Sequence, residues 1–248
     1  ALKHLPLCEK LPYEAMENNI DGTKNIISLC KQFNVKKVLF SSTDKAVNPS
    51  NTLGITKLMG EKLFYHENNN LNSKCKFSTL RFGNVVGSSG SVIPIFHNQI
   101  KNKQNLTVTN SKMTRFVMTI DEAVQFLIKS LIIMKGGEIF VPKIPSYRIK
   151  DLAKAICENC SIKIVGIRPG EKIHEEMITK SDSFSTIDLG KYYAILPSDR
   201  SIHKKYISDN IDFREVPKNF SYNSGENEIF LNVDEIRNLI QTKLKGES

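Results

Sequence analysis

Residues 35–64 read VKKVLFSSTDKAVNPSNTLGITKLMGEKLF. The first eight are β-branched and aromatic and end in serines, which predicts a short buried strand. Residues 52–66 then follow helical apolar spacing, with Met59, Leu63 and Phe64 as core contacts. Between the two elements an acid and a base, Asp44 and Lys45, stand side by side. Strand, turn and helix form the repeating unit of α/β folds, whose ligands bind beyond the carboxyl ends of the strands. Adjacent charges at such a mouth can meet a ligand. The ordinary alternative is an exposed turn capped by Asp44.

The pattern continues on both sides. Residues 12–33 have helical spacing, interrupted at Gly22. Downstream, KFSTLRF (76–82), FVMT (116–119), GGEIFVP (136–142) and IKIVGI (162–167) read as strands. SVIPIFHNQIK (91–101), IDEAVQFLIKSLIIM (120–134), residues 148–158 and the short EKIHEEMI (171–178) read as helices, and ENNNLNSK (67–74) as a polar loop. Alternation of this kind predicts α/β architecture with a parallel sheet. Gly83 and Asn84, after a strand, join Ser41–Lys45 as unusual strand-end residues.

Composition narrows the function. A chain of 248 residues, 40% hydrophobic and 25% charged, suits a folded protein with a real core. It holds no apolar run of membrane-spanning length and no signal-peptide pattern, so a cytoplasmic protein without a membrane partner is expected. Its five cysteines are scattered, as reduced thiols would be, and the lone Cys157-x-x-Cys160 lacks the second pair a zinc site needs. No metal is expected, and that pair reads as helix packing. The net charge of +9 comes from lysines interleaved with Asn and Glu rather than from a basic block. That suits a solvated surface or an anionic ligand such as a nucleotide diphosphate, and not nucleic acid.

Several blocks, in order, carry a resemblance: SSTDKAVNP, GITK, LRFGNVVGSSGSVIPIF, MTRFVMTIDEAV, GEIFVPKIPS and IVGIRPGEKIHEEMI. Together they resemble the UDP-N-acetylglucosamine 4,6-dehydratases of the extended short-chain dehydrogenase/reductase superfamily. The tail VPKNFSYNSGENEIFLNVDEIRNLI (216–240) looks like the short, inverting members that feed pseudaminic acid-type sugars. Two departures stand out. The 13 glycines include no GxGxxG, so the unit that cradles a dinucleotide pyrophosphate is not in this sequence. The resemblance places Ala1 after the fourth strand of the family fold, about a third of a usual domain into it. Second, Leu53 stands where the short members carry the Tyr of YxxxK, with Lys57 retained.

The resemblance implies a partial Rossmann-like parallel sheet over residues 1–90 and about 117–134, a smaller substrate domain mainly over 91–200, and a C-terminal extension over 201–248. It implies NADP or NAD as cofactor, a UDP-sugar substrate, and a homo-oligomer for the full-length form. The family reaction oxidises sugar C4, removes the C5 proton, expels the C6 hydroxyl and returns hydride to C6. Thr43 is then expected to bond the C4 oxygen, Asp44 to act as general acid toward the C6 oxygen, and Lys45 as the C5 base. Adjacency suits that pair, because the acid and the base serve neighbouring carbons. Lys3, Ser41, Ser42, Lys57 and Val85 are expected at the cofactor. Lys3, Lys45, Asn84, Val92, Ile93, Pro94, Phe96, Thr107, Arg115, Arg168 and Glu171 are expected at the substrate, the arginines as forks for the diphosphate. His174, alone on a presumed short helix, reads as structural. A UDP-sugar 4-epimerase, which has no use for a C5 base, is the rival enzyme; a catalytically impaired nucleotide-sugar-binding fragment is the rival outside catalysis.

Overall fold

The computed structural model describes residues 1–69, 74–88, 90–198 and 201–244, so half of the predicted loop 67–74 lies outside the described residues. Helices α1 (Leu5–Lys10), α2 (Pro12–Met16) and α3 (Gly22–Gln32) lead into strand β1 (Lys37–Thr43). Gly22 does not interrupt the helical run as expected. The irregularity is a π turn, Glu17–Asp21, whose wider winding buries Asn19. The Asn19 amide accepts from Leu2 N at 2.7 Å and donates to Leu2 O at 2.9 Å, which clasps the first residues.

After β1 the chain makes a 3-10 turn, Asp44–Ala46, and enters α4 (Thr52–Asn68). Asn51 starts that helix, its side-chain oxygen accepting from Gly54 N at 2.8 Å. There follow β2 (Lys76–Phe82), β3 (Asn84–Val85), α5 (Val92–Lys101), β4 (Leu106–Val108), β5 (Thr114–Met118) and α6 (Ile120–Ile133). Next come β6 (Ile139–Pro142), β7 (Ser146–Arg148), α7 (Ile149–Ile156), β8 (Ile162–Ile164), β9 (Glu176–Ile178), β10 (Thr186–Asp188) and β11 (Tyr192–Ile195). The last elements are α8 (Ser201–Ser208), β12 (Arg214–Glu215), β13 (Tyr222–Asn223) and α9 (Val233–Leu244).

The chain divides into two compact units. The first comprises Ala1–Phe82, Val124–Lys143 and Glu176–Tyr222. Its six-stranded sheet runs β1-β2-β6-β11-β10-β12. The β1–β2 and β2–β6 pairs are parallel, as expected, but β6–β11, β11–β10 and β10–β12 are antiparallel. The physical reason is the three-residue connection Leu189–Lys191 between β10 and β11, with Gly190 at φ 82°. A link that short can only join antiparallel neighbours. Residues 176–198, expected in the smaller domain, instead belong to this unit, where β10 and β11 extend the sheet. The predicted strand at 35–42 is only half-buried, because β1 is the edge strand. Ile27, Cys30, Phe40, Phe64, Cys75 and Phe77 fill one layer of core; Leu80, Phe126, Phe140, Ala194 and Tyr206 belong to another. Helix α4 lies close on β1 because Gly60 has no side chain: a Cβ there would stand 2.2 Å from the Phe40 ring.

The second unit comprises Gly83–Ala123, Ile144–Glu175 and Asn223–Ser248. It holds a β3-β5-β7 sheet and a parallel β4–β8 pair. Phe96, Leu106, Val117, Tyr147, Leu152, Ile236 and Ile240 form its core, with α7 packed on α9. The expected C-terminal extension is thus divided, α8 and β12 serving the first unit and α9 the second. Two further expectations are corrected here. EKIHEEMI is not a helix, because Ile173 O accepts from Thr114 N and Glu175 O from Ser224 N, which hold that segment extended. Cys157 and Cys160 form a disulfide with Cα atoms 5.4 Å apart, whereas Cys8, Cys30 and Cys75 are free and buried.

Candidate active site

The charged turn after β1 is the most unusual feature of the first unit. Thr43 ends the strand in extended geometry, and its hydroxyl donates to Asp44 Oδ1 at 2.8 Å. Lys45 Nζ donates to the same oxygen at 2.9 Å. Asp44 is 0% exposed, and its second oxygen, Oδ2, has no hydrogen-bond partner among the described residues. A buried carboxylate oxygen left bare costs on the order of 1–3 kcal/mol or more. The turn is held from below by α4. A Cβ at Gly54 would stand 2.2 Å from Lys45 O, so only glycine lets the helix approach this closely.

Lys57, one turn further along α4, donates to Ser41 O at 2.9 Å and lies over the Phe40 ring at 4.9 Å. Burial lowers its amine's pKa, and the carboxylate of Glu61 opposes that shift. Beneath it Glu61 is 3% exposed and accepts from Ser42 Oγ at 2.6 Å, Arg81 Nε at 3.1 Å and Arg81 Nη2 at 2.8 Å. Arg81 in turn donates to Met177 O at 2.7 Å. Ser42, Glu61 and Arg81 thus tie strand, helix and neighbouring strand together under the turn.

The second unit contains an open pocket lined by Asn84, Val85, Ser91, Val92, Ile93, Tyr147 and others. One wall is helix α9, through Ile236, Leu239 and Ile240. The lining is mostly apolar with a few polar groups, the usual character of a small-molecule site.

The chain as a whole is similar to known proteins. Residues 1–197 match the family described as polysaccharide biosynthesis protein. The chain belongs to that family. It is 43% identical over 251 residues to the UDP-N-acetylglucosamine 4,6-dehydratase (inverting) of Campylobacter jejuni, covering 97% of this chain and 74% of that one. To the UDP-glucose 4-epimerase of Rickettsia bellii it is 37% identical over 247 residues, with coverage of 97% and 71%. Among solved structures, Pen from Bacillus thuringiensis superposes with a TM-score of 0.85 at 37% identity, covering 98% of this chain and 73% of that one. A fold of the extended short-chain dehydrogenase/reductase kind follows, to which β1, β2 and β6 contribute adjacent parallel strands.

Set against the expected site, the structure brings Thr43, Asp44, Lys45, Ser41 and Lys57 together in the first unit. It brings Asn84, Val85, Val92 and Ile93 together around the pocket of the second. Lys3, Pro94 and Arg168 are exposed. Three placements differ from expectation. Ser42 points away from the cleft, because the buried Glu61 takes its hydroxyl. Phe96 is 0% exposed in the core of the second unit and reaches no ligand. Arg115 is buried rather than open: its Nη1 donates to Thr114 O and Ile173 O, and its Nε stands 3.7 Å from Glu175 Oε1. Thr107 exchanges hydrogen bonds with Gln99, and Glu171 Oε2 turns back to accept from Arg168 N. Leu53 is buried among Leu2, Cys8 and Ala15, so nothing polar replaces the family tyrosine at that position. Reasoning from sequence missed Glu61, although its place four residues after Lys57 on one helix face was a usable signal. It also missed the α9 wall, which no local pattern announces.

Among the described residues no helix is long and apolar enough to cross a membrane, and no cluster of ligating side chains could hold a metal ion.

Proposed function

We propose that the protein is a UDP-N-acetylglucosamine 4,6-dehydratase, acting with NADP or NAD in the cytoplasm as a homo-oligomer and supplying pseudaminic acid-type sugars for glycan synthesis. The observation that carries the reading is the Thr43–Asp44–Lys45 turn, with its buried Asp44 and bare Oδ2, in a chain 43% identical to an enzyme of that name.

The nicotinamide end of a cofactor fits what this chain offers. Lys57 presents its amine beside the Ser41 carbonyl at the strand end, as a ribose-binding lysine must. The pyrophosphate cradle has no counterpart in the sequence, which holds no GxGxxG. When bound, a nicotinamide supplies the oxidation at C4 and the reduction at C6. The elimination between them belongs to the protein. Lys45, as free amine, takes the C5 proton; Asp44, as neutral acid, gives its proton to the C6 oxygen; the C6–O bond breaks, the C5–C6 double bond forms, and water leaves. The pair then stands as ammonium and carboxylate, the contact ion pair seen at 2.9 Å. As hydride reaches C6, Nζ gives a proton back to C5, and the proton released from the C4 hydroxyl on oxidation, carried through solvent, restores Asp44, so both groups are reset. Thr43 is assigned to the C4 oxygen. Asn84, Val92, Ile93, Arg168 and Glu171 are assigned to the nucleotide sugar, and Val85 to the nicotinamide.

The 37% identity to a named 4-epimerase makes that activity the rival. The deciding experiment incubates the full natural chain carrying this sequence with UDP-N-acetylglucosamine in deuterated water. A dehydratase releases water and incorporates deuterium at C5. Interconversion of C4 epimers without loss of water would overturn the reading.

A further inference from the structure

His174 is exposed, yet its ring is held as firmly as a buried one. Its Nδ1 lies 2.8 Å from the hydroxyl of Thr114, which lies 2.7 Å from the hydroxyl of Ser224. Ser224 Oγ also accepts from Glu175 N at 2.9 Å. Thr114 and Ser224 are both buried. Gly225 lies against the ring: a Cβ there would stand 2.7 Å from Nδ1, so any side chain would displace the imidazole.

The direction of this relay follows from where its protons can go. Ser224 is fully buried and has no acceptor among the described residues other than Thr114. Were Thr114 to donate to Ser224, the Ser224 proton would be buried without a partner, at a cost of about 1–3 kcal/mol. Ser224 therefore donates to Thr114, and Thr114 donates to Nδ1. A ring nitrogen that accepts carries no proton, so the neutral imidazole holds its hydrogen on Nε2. Nε2 has no partner among the described residues. The result is one N–H donor, fixed in tautomer and aim, on the segment that also carries the exposed Arg168 and Glu171. Arg115, expected as a diphosphate ligand, is instead spent on holding this segment, through Ile173 O and Glu175.

We infer that His174 donates its Nε2–H to a phosphate oxygen of the nucleotide sugar, with Thr114, Ser224 and Gly225 as the residues that position it. The inference rests on the proposed nucleotide-sugar reading. An anionic oxygen is the acceptor that gains most from a fixed donor on the same segment as an exposed arginine.

The test uses the full natural chain, with UDP and uridine as probes. His174→Ala should weaken UDP binding by about tenfold to a hundredfold, the worth of one hydrogen bond to a charged group, and leave uridine binding unchanged. His174→Gln, whose amide N–H reaches to about the Nε2 position, should restore most of it. Gly225→Ala should reproduce the loss without removing any polar group. Nitrogen-15 NMR of the labelled imidazole should show the Nε2–H tautomer in the free protein. An Nδ1–H tautomer, unchanged UDP affinity in His174→Ala, or equal weakening of UDP and uridine would each overturn the assignment. Failure of the unmodified chain to bind UDP would instead overturn the nucleotide-sugar reading, and this inference with it.

Discussion

Two buried carboxylates in the first unit, Glu61 and Asp44, sit close in sequence to the same strand end and are treated in opposite ways. Glu61 accepts three hydrogen bonds from Ser42 and Arg81, so both of its oxygens are satisfied. Glu138, elsewhere in this unit, is equally complete: it accepts from Ser78, Tyr206 and the backbone of Lys135 and Gly136. Asp44 takes two donors on one oxygen and none on the other. Burying a carboxylate is expensive, and a fold that only needs structure satisfies it fully. The incomplete one is where a ligand atom is expected to complete the set. Within this unit, completeness of hydrogen bonding thus separates Glu61 and Glu138, which hold the fold, from Asp44, which is assigned to chemistry.

That contrast can be broken by substitution. Glu61→Gln should have the largest effect, a loss of about 3 kcal/mol or more of stability in denaturant titrations, because it leaves the buried Arg81 with only the longer 3.8 Å contact to Asp182. Asp44→Asn should slow water loss by about a hundredfold or more, equivalent to about 2.7 kcal/mol in the barrier, with a much smaller change in stability. If Asp44→Asn unfolds the protein as readily as Glu61→Gln, the distinction between the two carboxylates is lost. If it folds and turns over normally, Asp44 is a turn residue only.

A smaller effect concerns Cys75, in the core beside Cys30. Burial, reinforced by the neighbouring Cys30, pushes its thiol up to about 11 from 9.0. Between those values the unfolded chain gives up the proton and the folded chain keeps it, so the unfolded state is favoured as pH rises. Below pH 9.0 the group contributes no slope. Stability measured from pH 8 to 11 should therefore fall more steeply in the unmodified protein than in Cys75→Ala, after correction for the variant's own cavity. Parallel curves would show that Cys75 is not the group responsible.

Much of this was legible along the chain. β-rich apolar runs placed β1 and β2, and helical apolar spacing placed α4, α5, α6 and α7. The Asp44–Lys45 contact was legible because adjacency alone puts an acid and a base within one turn. EKIHEEMI misled, since its apolar residues fit a helix, and only backbone bonds to Thr114 and Ser224, distant in sequence, hold it extended. The antiparallel half of the sheet was missed because its strands are three or four residues long and carry too little periodicity to read.

By itself, then, the sequence determined the α/β alternation, the strand-end location of the charged turn and the family, since these depend on spacing within a few residues. The tertiary structure alone decided which carboxylate is satisfied and which is bare, that Leu53 faces Leu2, Cys8 and Ala15, and that His174 is oriented through Thr114 and Ser224. Each of those depends on a partner supplied from elsewhere in the chain. Hydrogen bonds and burial are settled by distance in space, which local pattern does not encode.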